Sequence, residues 1–80
     1  MFRIVRVYYR PPVVGVHPRL IRGRWRYQIN EYMRTSVRCV GSDEVPESLR
    51  SLVAEESRWA LFASRKDAQR IVKALAVLES

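Results

Sequence analysis

The sequence predicts an α+β fold: one small domain built on a mainly antiparallel β-sheet of three to four strands, with two helices packed on one face, in the order β-β-β-α-β-α. Three observations lead there. Residues 22–32 alternate between two kinds of side chain with the period of a strand. Residues 64–78 repeat apolar groups at helical spacing behind a serine that suits an N-cap. Pro11, Pro12, Gly15 and Pro18 interrupt the stretch between the first two strands and exclude a helix there. At 80 residues the chain has enough length for one core and too little for two.

Phe2 to Tyr9 is rich in Val, Ile, Tyr and Phe and is a strand on propensity. Phe2, Ile4 and Tyr8 share a face with Arg6, while Val5, Val7 and Tyr9 share the other with Arg3. Apolar groups on both faces predict an internal strand or a strand end. Residues 10–20 then form a proline-rich loop, longer than most connections. Either Val13, Val14 and Val16 pin it to the body, or it serves as a binding loop in which Arg10 and Arg19 make secondary contacts.

In the strand predicted from Arg22 to Asn30, Trp25, Tyr27 and Ile29 point to a core, and Arg22, Arg24, Arg26, Gln28 and Asn30 point away from it. A turn over residues 31–34 leads to a strand at about 35–41. Placing Val37 and Cys39 on the shared apolar face sends Arg38, and with it Arg34, to the arginine face. Pro46 suits the first turn of a short amphipathic helix over about 46–57, with Val45, Leu49, Leu52 and Val53 inward and Glu55 and Glu56 a solvated pair. Trp59 to Ala63 reads as a short strand. Ser64 caps the last helix, with Asp67 in a capping-box position, and Ala68, Ile71, Val72, Leu75 and Leu78 form the stripe that lids the sheet. The opposite face of such a sheet, here the arginine face, is left open to solvent.

The formal charge is +7, and its distribution is uneven. Residues 1–40 hold nine arginines against one acid, a net of +8, whereas residues 41–80 hold six basic residues against seven acids, a net of −1. Such asymmetry points to a polyanionic or acidic partner for the first half. Thirteen of the fifteen basic residues are arginine, whose flat fork of donors fits phosphate and carboxylate. A codon bias toward arginine would account for that ratio but not for the acids avoiding the first half.

Cys39 is the only cysteine and His17 the only histidine, which leaves no internal disulfide, no closed metal site and no third residue to complete a nucleophile and base. No glycine-rich phosphate loop is present among Gly15, Gly23 and Gly41. The expectation is a protein that is not an enzyme, uses no cofactor, metal or small-molecule substrate, and works in the cytoplasm away from membranes, since no apolar run is long enough to span one. Among the aromatics, Tyr8, Tyr9 and Tyr32 are candidates for stacking on single-stranded bases, while Trp25, Tyr27, Trp59 and Phe62 are assigned to the core.

Residues 23–29, a following strand, and residues 62–68 opening the last helix resemble the three-stranded-sheet-plus-helix arm-binding domains of tyrosine recombinases. The resemblance implies a sheet face laid into a DNA groove. It covers about half the chain, and the leading strand and the extra helix predicted at 46–57 depart from it.

Two functions fit. The first is nucleic-acid binding, to DNA or RNA, in which Arg22, Arg24, Arg26, Arg34 and Arg38 contact phosphates and Gln28 and Asn30 reach base edges. The second is a small phage or mobile-element protein that binds an acidic surface of a host protein, to inhibit or adapt it, through the same residues.

Overall fold

The computed structural model describes residues 1–55 and 57–79. Glu56, half of the expected solvated pair, lies outside the described residues. Strand β1 (Phe2–Tyr9) pairs antiparallel with β2 (Arg24–Tyr32) along its whole length, from Phe2 opposite Glu31 to Tyr9 opposite Arg24. A strand has two edges, so β3 (Val37–Cys39) and β4 (Leu61–Phe62) share the other edge of β2. Strand β3 takes Asn30 to Tyr32, and β4 takes Tyr27 and Gln28. The result is a four-stranded antiparallel sheet centred on β2. The α+β class expected from the sequence is the class observed.

The core forms where β2, β4 and α1 (Arg65–Glu79), the one α-helix among the described residues, meet. Ile29 and Phe62 are fully buried, together with Val40, Val45, Ala60, Ala68 and Ile71. Phe2, Ile4 and Tyr27 pack against this cluster from the sheet, and Val72 and Leu75 from the helix. Leu78 departs from the predicted stripe and is largely exposed, because the stripe outruns the core it covers. The start of α1 follows the local signal: Asp67 N–H donates to Ser64 Oγ at 3.1 Å, which satisfies one of the backbone donors a helix leaves open at its first turn.

Three expectations change. Strand β1 lies at the sheet edge rather than inside it, and its three arginines (including Arg10 just beyond it) suit an edge that must not recruit further strands. Trp25 and Trp59 are not core residues: they are 50% and 38% exposed. The helix expected over 46–57 is a 3₁₀ segment, Glu47–Leu52, with bonds of the i to i+3 kind such as Leu49 N–H to Pro46 O at 2.8 Å. The apolar residues at 45, 49, 52 and 53 do face the core, but a spacing of three to four is met equally by the tighter helix. Val53 then bridges to Phe62, and Ala54 N–H donates to Leu61 O at 2.7 Å, so the chain rejoins the sheet too soon for an α-helix to pass its costly nucleus.

Replacing Ser64 by alanine removes the N-cap acceptor and is expected to cost about 1 kcal/mol. For a domain of this size that lowers Tm by roughly 4–8 °C, measurable by circular dichroism. An unchanged Tm would show that α1 does not depend on its cap.

Candidate nucleic-acid interface

The β1–β2 register decides which side chains share a face. On one face Arg24, Arg26, Gln28 and Asn30 of β2 stand opposite Tyr9, Val7, Val5 and Arg3 of β1. The sequence reading of these four β2 residues as neighbours therefore agrees with the register, but their surroundings are less open than expected. Glu55 reaches across from the segment after the 3₁₀ turn. It accepts from Arg24 Nε, from Arg24 Nη2 at 3.1 Å and from Arg26 Nε at 3.0 Å. Its side chain is only 8% exposed, whereas Arg24 remains 49% exposed. This carboxylate is thus a shielded clip for two arginines rather than a solvated helix-surface acid.

The two amides on this face are also engaged. Gln28 Nε2 donates to Asn30 Oδ1 at 3.2 Å, and Cys39 Sγ donates to the same oxygen at 3.2 Å. Cys39 is opposite Asn30, so it lies on the arginine face, and Arg38, opposite Glu31, lies on the other. The expected placement of Arg38 beside Arg24 and Arg26 is overturned, since β3 is in the register that turns Val37 and Cys39 outward from the helix side. Arg38 instead joins two acids: its Nε lies 2.9 Å from Glu31, and its Nη1 lies 2.8 Å from Glu44, which also accepts from Gly41 N–H at 2.7 Å. These bonds fasten β3 to β2 and to the 3₁₀ turn Ser42–Glu44. Arg34 sits in the exposed turn closed by Met33 N–H to Ser36 O at 2.8 Å.

The helix-side face carries a second cluster, at the end of the hairpin beyond the core. Tyr8 stands opposite Trp25 with ring centroids 5.1 Å apart in an edge-to-face arrangement. The Arg6 guanidinium lies 4.2 Å from the Trp25 ring centroid, and that of Arg10 lies 5.3 Å from the Tyr8 ring centroid. Helix α1 begins next to it, where Arg65 lies 5.3 Å from the Tyr27 ring centroid. Gly23 seats the cluster: its N–H donates to Tyr8 Oη at 3.0 Å, and a Cβ there would meet Tyr8 Cε2 at 2.5 Å and Tyr9 O at 2.6 Å. Arg6 and Gly23 are members to which the sequence assigned no part in a site, and Trp25 is one it assigned to the core. Their signal was Arg6, Tyr8 and Arg10 at alternate positions, and only the register reveals that Trp25 completes the set.

The loop between β1 and β2 holds Arg10, Arg19 and Arg22, all exposed, and none of Val13, Val14 and Val16 is buried against the body. His17 caps the 3₁₀ turn Pro18–Leu20, its Nδ1 accepting from Arg19 N–H at 3.2 Å. It therefore makes contacts separate from those of Cys39. Among the described residues, no group of three His, Cys, Asp or Glu side chains could hold a metal ion, and no helix is long and apolar enough to cross a membrane.

Hydrogen bonds from Arg24 and Arg26 hold the Glu55 carboxyl below its ordinary value of 4.5, against the upward push of burial, and Arg38 does the same for Glu44. A carboxyl whose folded value is depressed binds fewer protons in the native state. Its contribution is full above the unfolded value and fades as pH falls through the folded one. Stability is therefore expected to drop below about pH 4.5, with the Glu55 midpoint, followed by NMR, moving up in Arg24→Ala. A Glu55 midpoint unmoved by that substitution would count against the clip. Compared with family models, curated proteins and solved structures, the chain matches none, so its likeness to recombinase arm-binding domains stays one of residue types.

Proposed function

We propose that this is a small, non-enzymatic nucleic-acid-binding protein that meets DNA or RNA through its β1–β2 hairpin. One observation carries the reading: residues 1–30 contain seven arginines and no acid, and they make up β1, the connecting loop and β2 as far as Asn30, short of Glu31. Among the described residues, Glu55 pairs with two of the seven. The other five, Arg3, Arg6, Arg10, Arg19 and Arg22, are exposed on the hairpin and its loop, which suits a polymer that carries an anion at every repeat. Arg10, Arg19 and Arg22 of the loop are the side chains we assign to phosphate, with Arg24 on the rim; Gln28 and Asn30 read base edges only by leaving their mutual bond.

A second reading, a protein that inhibits or adapts a partner of phage or host through an acidic surface, draws on Val14 and Leu20, which the loop leaves 102% and 79% exposed among its arginines. A pull-down after nuclease treatment that recovers one stoichiometric protein would favour it.

Titration of labelled single- and double-stranded oligonucleotides at several salt concentrations tests the first reading. Affinity is expected to fall with salt by about 0.9 log units per phosphate contact for duplex and about 0.7 for single strands. The Arg10/Arg19/Arg22 triple alanine variant is expected to flatten that slope by about two to three contacts. Absence of binding to any oligonucleotide at low salt would overturn the proposal.

A further inference from the structure

We infer that Tyr8 and Trp25, flanked by Arg6 and Arg10, form a stacking platform for the bases of single-stranded nucleic acid; this rests on the nucleic-acid reading above and adds the strand state that the protein selects. The two rings are adjacent and 44% and 50% exposed, at the part of the sheet that the core leaves uncovered. Half-exposed aromatics on a strand pair offer ring surface that an unstacked base can meet beside the guanidinium over each ring, whereas a duplex hides its base faces inside the helix. The platform is pre-shaped. Tyr8 is held by the Gly23 N–H, and a side chain at position 23 would collide with its ring.

Charge complementarity selects the occupant. The guanidinium of Arg6 lies over Trp25 and that of Arg10 over Tyr8, so cations border both rings, and neither strand carries an acid between Phe2 and Asn30. Glu55 bonds Arg24 and Arg26, whose strand positions lie on the opposite face.

The test uses the two tryptophans as separate reporters. Trp59 lies outside the platform, with Arg58 4.9 Å from its ring centroid, so Trp59→Phe leaves Trp25 as the sole emitter and Trp25→Phe leaves Trp59. Titration with oligothymidylate is expected to quench the Trp59→Phe protein strongly and the Trp25→Phe protein weakly. Trp25→Ala is expected to weaken oligothymidylate binding roughly tenfold to a hundredfold, with far less effect on a duplex of equal length. Trp25→Leu, which keeps apolar bulk without a π-face, is expected to lose the same affinity at unchanged Tm, separating stacking from folding. Equal affinity for single strand and duplex with Trp25 emission unmoved would overturn the platform while leaving nucleic-acid binding in place. No binding of either at low salt would overturn both.

Discussion

The antiparallel pairing of β1 with β2 is the constraint on which the rest of the molecule depends. Eight consecutive residue pairs set it, and every surface described above follows from which residues stand opposite each other. Ile4 opposite Ile29 gives the core its sheet side, and Tyr8 opposite Trp25 gives the far end its exposed rings. Because side chains alternate with a period of two, a slip of one residue would carry Ile29 out of the core and bring Gln28 or Asn30 into it. Burial of Ile29 against Phe62 and Ile71 penalises that slip, so the same contacts that stabilise the fold also position the arginines and aromatics.

Seven arginines in the first thirty residues repel one another, and Glu55, from elsewhere in the chain, offsets part of that repulsion. Glu55 holds Arg24 and Arg26, while Glu31 and Glu44 hold Arg38. These pairs clip one segment to another, and their arginine side chains stay 21–49% exposed, which limits each pair's worth to stability. What they decide is geometry. They fasten the short, weakly paired elements, β3 and the segment after Leu52, to the long central strand. Of the seven, those outside these pairs lie over aromatic rings, as Arg3, Arg6 and Arg10 do, or stand exposed in the loop, as Arg19 and Arg22 do. The acids therefore serve the body of the domain, and the hairpin end keeps its positive field.

Where the sequence misled, the cause was a local pattern that permits two tertiary outcomes. Apolar residues at 45, 49, 52 and 53 satisfy a 3₁₀ segment as well as an α-helix, and the nearby bridge from Val53 to Phe62 selected the shorter form. Val37 and Cys39 alternate with Arg38 in either register of β3. Pairing Cys39 with Asn30 put the thiol beside an amide, and pairing Arg38 with Glu31 gave the guanidinium a carboxylate, so electrostatics rather than apolar burial set the face. Trp25 has the apolar character of a core residue, yet α1 starts beside Tyr27 and the core ends there.

By itself the sequence determined the α+β class, the bounds of β1, the capped start of α1 and the crowding of positive charge into one half, because each is written in composition or in short-range periodicity. Ser64 and the stripe from Ala68 to Leu75 need no distant partner to specify a helix. Only the tertiary structure decided that Glu55 clips Arg24 and Arg26, that Arg38 faces the helix side, and that Tyr8 and Trp25 meet over Gly23. Those outcomes depend on strand register and on where the core ends. Both are settled by contacts between residues far apart in the chain, which no local pattern encodes.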